Sequence, residues 1–326
     1  MTREGLTRRQ LLAAGMALCA ASTSARAALI ERPIRWIVGY PPGGSTDALA
    51  RLLSPSLAAS LGQTVIVDNR PGAGSAIAAT ALAGAAPDGS TIMGADNGTL
   101  IYNPVLYNDL KYDPDRDFRP VGLYAGINLL LAVPASSPLR SGTEYLEKAR
   151  TAKDPVIYAS PGIGSPLHLA MERLARDANV RLTHVPYRGM APALTDVLAG
   201  VVPSIIIDYT TAAEAIKGGL IRALGTLSQS RLPALPDVPT MAEQGLPGFS
   251  AGAWQGVIVP RKTPDAVVKI LSDGLARGLS EPLVKKRYED LGLDMPQSDP
   301  EFFAKRWQED KAIWQPLIRS LDIKLG

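Results

Sequence analysis

The stretch that most restricts the fold is a strand, a tight turn and a helix in direct succession. Ile34-Arg35-Trp36-Ile37-Val38-Gly39 is an apolar run of strand length. Residues 48–61 place apolar side chains at i, i+3 and i+4, the spacing of one helix face. Between them stands Tyr40-Pro41-Pro42-Gly43-Gly44-Ser45-Thr46-Asp47. Adjacent glycines let a backbone approach a ligand closely. Ser45 or Thr46 is expected to cap the helix. Free amides and the positive end of the macrodipole make such a helix start receptive to an anion. Asp47, in the first turn, is expected to turn towards backbone amides, because it would repel an anionic ligand.

The same device returns in mid-chain. Val156-Ile157-Tyr158-Ala159 reads as a buried strand, Ser160-Pro161-Gly162-Ile163-Gly164-Ser165-Pro166 as the turn, and Leu167-His168-Leu169-Ala170-Met171-Glu172-Arg173-Leu174 as an amphipathic helix. Further strands are expected at 64–69, 91–95, 129–133, 182–185, 204–207, 220–224 and 254–259. Further helices are expected at 75–85, 141–152, 191–199 and 211–216. Asp96-Asn97-Gly98-Thr99 is a polar loop after the third strand. Alternating strands and helices build parallel sheets with right-handed crossovers, so the chain reads as two α/β units. Its 326 residues suit two domains. Residues 107–120, rich in aspartate, read as a charged surface excursion, and 230–250 as an ordered surface connection. Three helices after Pro264, ending near 318, are expected to return and cover the first unit.

Residues 1–27 read as an export signal: a basic start, an apolar run at 11–21 too short to span a bilayer, and the small-x-small site Ala25-Arg26-Ala27. Thr7-Arg8-Arg9-Gln10-Leu11-Leu12 looks like a twin-arginine signal, although paired arginines also occur in ordinary secretory signals. Cleavage would remove four arginines and one glutamate from totals of 34 basic and 31 acidic residues, so the two signs then balance. Balanced charge argues against a nucleic-acid or anionic-membrane partner. The only cysteine, Cys19, would leave with the signal. No later stretch is apolar enough to insert in a membrane.

Most enzyme signatures are missing. Residues 162–166 run Gly-Ile-Gly-Ser-Pro, not a nucleophile elbow. There is no Walker A glycine-lysine pair, and Gly72-Ala73-Gly74 lacks the third glycine of a dinucleotide fingerprint. Two histidines sixteen apart do not make a zinc site, and the aspartates of 107–120 lack the glycine and glutamate of a calcium loop. A Ser165, His168 and Asp208 set leaves hydrolysis of an acyl substrate as the alternative class.

Several motifs stand in order along the chain: the turn at 40–47, Asp68-Asn69-Arg70-Pro71-Gly72-Ala73-Gly74, Pro87-Asp88-Gly89-Ser90-Thr91, Tyr112-Asp113-Pro114, His184-Val185-Pro186-Tyr187-Arg188-Gly189, Ala191-Pro192-Ala193-Leu194-Thr195-Asp196 and Leu235-Pro236-Asp237-Val238-Pro239-Thr240. Together they resemble the Bug/TctC family of periplasmic solute-binding receptors. The resemblance implies a two-lobed α/β periplasmic binding protein of type II, a Venus flytrap with a central cleft. Lobe 1 would hold 28–134 and 252–326, lobe 2 would hold 135–251, and the lobes would close by a hinge in the crossover strands. It implies a monomer in the periplasm, without metal or cofactor. Such a protein binds a small carboxylated molecule and serves the membrane subunits of a tripartite tricarboxylate-type transporter. A sensor kinase is an alternative partner.

Carried over by position, the ligand loops are 42–47, with Pro42, Gly43, Gly44, Ser45, Thr46 and Asp47, and 160–165, with Ser160, Ile163, Gly164 and Ser165. The aspartate after the second lobe's strand is Asp208. Tyr40, Asn97 and His168, beside these stretches, are further candidate ligand residues. His168 also reads as a buried, satisfied histidine, and His184 as structural. Arg188 reads as a solvated charge, and Trp254 as a cleft-lining or packing residue. The second loop departs from the family pattern. Pro161 and Pro166 stiffen it and remove two amide donors, and Ile205-Ile206-Ile207-Asp208-Tyr209 replaces a commonly Phe-Asp segment. Both departures point to a different or less polar ligand tail.

Overall fold

The computed structural model describes residues 30–325. The expected export signal, its cleavage site and Cys19 lie outside the described residues. The first unit opens with β1 (Ile34–Val38), α1 (Ser45–Leu61), β2 (Val65–Asn69), α2 (Ala76–Ala83) and β3 (Thr91–Asp96). β1 pairs in parallel with both β2 and β3. Trp36, Ile37 and Val38 are all buried, because helices cover both faces of this part of the sheet.

The 107–120 region differs from its expected form. Its acidic part ends at a single helical turn, Pro114–Asp117, where the Asp113 side chain accepts from the Asp115 and Arg116 amides. A ten-residue strand follows, β4 (Phe118–Ile127), which the sequence pattern does not signal. Pro120, Gly122 and Gly126 lower its strand propensity. They fit here for tertiary reasons. Pro120 sits opposite Ile258, where the pairing with the last long strand shifts register. A Cβ at Gly122 would lie 2.6 Å from the Ser298 hydroxyl, and one at Gly126 2.9 Å from the Asp294 Cβ.

β5 (Leu129–Pro134) follows after one residue and is buried throughout. It was expected to close the first lobe. It pairs instead in the second sheet, so the chain changes sheets at Asn128. That sheet is completed by α3 (Gly142–Thr151), β6 (Val156–Ser160), α4 (Pro166–Asp177), β7 (Leu182–Pro186), α5 (Met190–Leu198), β8 (Ile205–Asp208), α6 (Tyr209–Lys217) and β9 (Ile221–Thr226). Its strand order is β7-β6-β8-β5-β9. The connection at 230–250 is more than a surface cover: Met241, Leu246 and Phe249 are buried in the core.

The chain then returns through β10 (Ala253–Pro260), α7 (Asp265–Ser280), α8 (Pro282–Leu291), β11 (Leu293–Asp294) and α9 (Pro300–Ser320). The first sheet thereby has the order β11-β4-β10-β3-β1-β2. The tail covers it as expected. α7 packs on α1 where Gly274 leaves room, since a Cβ there would meet Leu57 at 2.8 Å. α9 buries Phe303, Trp307 and Trp314 on the other face. Each such burial stabilises by about 1.5–3 kcal/mol. β11 was not expected, being only two residues long. Among the described residues no helix is long and apolar enough to cross a membrane.

Candidate functional site

Each sheet has one topological switch point. β1 lies between β2 and β3, and β6 lies between β7 and β8. The chain therefore leaves β1 to one side and returns on the other, and the same holds for β6. In open α/β sheets, ligands bind outside the carboxyl ends of the strands at this point. In the first sheet it is flanked by residues 39–47 and 96–98. In the second it is flanked by 160–165 and 208–209. Both abut the crossing between sheets. Asp96 at the end of β3 is opposite Gln255, Ala253 is opposite Ile127, and Leu129 is opposite Asp208.

At the first switch point the helix cap is not as expected. Gly44 occupies the N-cap in extended conformation, and α1 has no side-chain bond to its first amides. Ser45 and Thr46 lie inside the helix, so neither hydroxyl can reach back to cap it. Ser45 is exposed with Pro41, Pro42, Gly43 and Gly44. Thr46 is buried, and its hydroxyl accepts from Gln255 Nε2 at 2.7 Å. Asp47 behaves as expected. Its carboxylate turns back to the Gly43 amide at 2.9 Å. It also accepts from Arg51 Nε at 3.0 Å and Asn69 Nδ2 at 2.9 Å. The Arg51 guanidinium, with the Gly43 amide and Asn69, lowers its pKa to about 2. Asp47 thus fixes the loop and is not free for a ligand.

Behind the loop lies a polar cluster. The half-buried Tyr40 donates its hydroxyl to Asp96, and burial and that carboxylate raise its pKa. Asp96 also accepts from the Thr99 amide and hydroxyl, each at 2.8 Å. Thr99 in turn bonds Ser75. Asn97 is 0% exposed. Its Oδ1 accepts from the Trp254 amide at 2.8 Å. Its Nδ2 has no partner among the described residues, and neither does Gln255 Oε1. A buried amide without a partner is costly and implies a missing one.

The second switch point is built differently. Ser165 caps α4 by accepting from the His168 amide at 3.2 Å. Gly164 is buried, and its amide donates to His168 Nδ1 at 3.1 Å. The His168 ring stacks on His184 at 3.9 Å, and His184 stacks on Tyr158 at 5.1 Å. His184 Nε2 bonds the buried Ser160 hydroxyl at 2.6 Å, and Tyr158 donates to Glu172 at 2.6 Å. Burial lowers the His168 pKa to about 3, helped by His184, and that of His184 to about 4. Ile163 is exposed at the loop tip. Asp208 caps α6 by accepting from the Thr211 amide at 2.9 Å.

The sequence therefore located both loops and missed their support. Asn69, Arg51, Asp96, Thr99, Ser75 and Gln255 hold the first loop, and His184, Glu172 and Tyr158 the second. Asn69 and His184 stood within motifs named above and Asp96 and Thr99 within the polar loop at 96–99, but none of these stretches showed which loop it would support. Ser165, His168 and Asp208 do not form a hydrolytic relay. The Ser165 hydroxyl bonds a main-chain amide, His168 faces His184, and Asp208 caps a helix.

A family model described as tripartite tricarboxylate transporter family receptor matches residues 49–323. The chain belongs to this receptor family. The receptor is 41% identical over 316 residues to the UPF0065 protein in the tcbD-tcbE intergenic region of Pseudomonas sp. (strain P51), covering 95% of this chain and 94% of that protein. Among solved structures it resembles the periplasmic binding protein BugD, with TM-score 0.75 and 33% identity over 90% of this chain and 99% of that one. It also resembles an R. palustris protein solved with adipate, with TM-score 0.78 and 31% identity over 90% of this chain and 98% of that one. The receptor accordingly has the two-lobed fold of periplasmic binding proteins, and its family is one of solute-binding receptors.

Proposed function

We propose that this receptor captures a small carboxylated molecule in the periplasm and presents it to the membrane subunits of a tripartite tricarboxylate-type transporter. The observation that carries this reading is the first switch point. The start of α1 has no cap of its own, and the fully buried Asn97 holds an amide donor without a partner beside the Thr46–Gln255 bond. A carboxylate on the amides at 44–46 would complete the helix start and meet the positive end of its macrodipole. The relative solved with adipate supports the chemical class.

The chain passes between the two sheets at Asn128, the one residue between β4 and β5, and again at Gly252, where the connection after β9 enters β10. Rotation about these points would bring the two switch points together over the ligand. A thermal-shift panel of carboxylic acids tests binding. A ligand at 100 times its dissociation constant should stabilise the fold by about 2.7 kcal/mol. Failure of every carboxylic acid to shift the transition would sink the reading. Solute uptake by cells lacking this gene, with and without the transporter's membrane subunits, tests the partner.

A further inference from the structure

We propose that the ligand is a monocarboxylate with an uncharged, largely apolar body, and that the second switch point is built to reject a second carboxylate. The inference rests on the carboxylate reading above and narrows it. Pro161 and Pro166 have no amide proton. The Gly162 amide donates to the Ser160 hydroxyl at 3.2 Å. The Gly164 amide donates to His168 Nδ1 at 3.1 Å, and the Ser165 amide to the Gly162 carbonyl at 3.3 Å. Both helix starts here are closed by their own side chains, Ser165 on α4 and Asp208 on α6. The contrast with the uncapped start of α1 is direct. The first lobe leaves its helix start open, whereas this loop bonds its Gly162, Gly164 and Ser165 amides within itself.

Charge points the same way. Asp208 places a carboxylate at this switch point, and Glu172 stands behind His168 with Nε2 and Oε1 3.7 Å apart. His168 is buried and His184 half-buried, and that burial holds both pKa values well below the usual imidazole range, so near neutral pH they supply no cation. Arg173 is committed to the Ser250 carbonyl and the rings of Phe249 and Trp314. Arg188, next to Gly189 whose amide bonds the Pro161 carbonyl, has no partner among the described residues. It follows β7, on the flank of β6 away from β8, and is exposed, so water screens it. What this end does present is apolar. Ile163 is 50% exposed, and the loop packs on two leucines, since a Cβ at Gly164 would lie 3.0 Å from both Leu106 and Leu325.

The test compares hexanoate with adipate, which have the same carbon chain and differ by one carboxylate, using calorimetric titration of the purified receptor. Hexanoate should bind tighter by about tenfold or more, because an unpaired carboxylate at the second loop is not compensated. Ile163→Ser should weaken hexanoate several-fold, and Arg188→Ala should leave it unchanged. Tighter binding of adipate overturns the inference while leaving the carboxylate reading intact, and loss of that preference in Arg188→Ala would identify the clamp. If no acid binds at all, the carboxylate reading fails and this inference with it.

Discussion

Replacing Ser45 by proline isolates the feature on which the function depends. Ser45 is the first residue of α1 and is exposed, and its hydroxyl caps nothing. Proline is favoured at this position, since its fixed φ suits the helix and the amide it lacks has no partner within the helix. The residue before a proline must be extended, and Gly44 already is, with φ −75° and ψ 170°. Ser45→Pro should therefore leave the fold intact, or raise its stability by up to about 1 kcal/mol through the unfolded chain. It deletes one amide donor. A hydrogen bond to a charged group contributes about 1.5–3 kcal/mol, so a carboxylate resting on this helix start should lose roughly 10- to 150-fold in affinity. Ser45→Ala, which keeps the amide, should bind as the parent does. Calorimetry with the acid giving the largest thermal shift reads the difference, and denaturant unfolding checks the fold. Parental affinity in a folded Ser45→Pro variant would refute the placement of the anion.

The two glycines of the same loop should separate: Gly43→Ala, at φ +86°, should cost about 1–2 kcal/mol, and Gly44→Ala, where a Cβ meets only the Pro41 carbonyl at 3.7 Å, less than about 1 kcal/mol. Equal urea midpoints for the two variants would contradict this. The imidazole pair predicts a pH dependence. Both rings hold protons less tightly in the folded chain than in the unfolded one, so stability is full above pH 6.5 and falls as pH drops towards the folded values near 4 and 3. The slope should approach about 1.4 kcal/mol per pH unit for each ring. The double variant His168→Asn and His184→Gln should flatten urea-unfolding stability between pH 6.5 and about 4, a window above that in which Asp47 titrates. An undiminished slope would mean that other groups carry it. At Gly292, with φ +60°, a Cβ would lie 2.1 Å from the Tyr209 ring, so Gly292→Ala should cost about 2–4 kcal/mol. Tyr209→Ala should relieve part of that cost in a double-mutant cycle, and simple additivity would show that the ring is not the obstacle.

Much of the fold is legible locally. Apolar runs, helix periodicity and Pro/Gly/Ser turns fix β1–α1 and β6–α4, because each signal spans only a few neighbouring residues. They also place both loops of the candidate site, since a strand-to-helix turn lies at a strand end wherever the strand goes. Asp47 could be aimed correctly because its partners, Gly43 and Arg51, are four residues away on either side.

What the sequence alone did not determine depends on residues far along the chain. β4 is a strand because β10, some 130 residues later, pairs with it and because Ser298 and Asp294 fill the spaces its glycines leave. β5 changes sheets because β8 and β9 lie beside it, which no property of Leu129–Pro134 announces. The chemical difference between the two loops is of the same kind. Both read as anion turns, since each has glycines and hydroxyls before a helix. The fold decides which keeps its amides. His184 arrives from β7 to lock His168 and Ser160, and Ser165 closes its own helix, whereas Gly44 leaves α1 open. Residue type sets what an amide can do, and only the tertiary contacts determine whether its hydrogen bond is already taken.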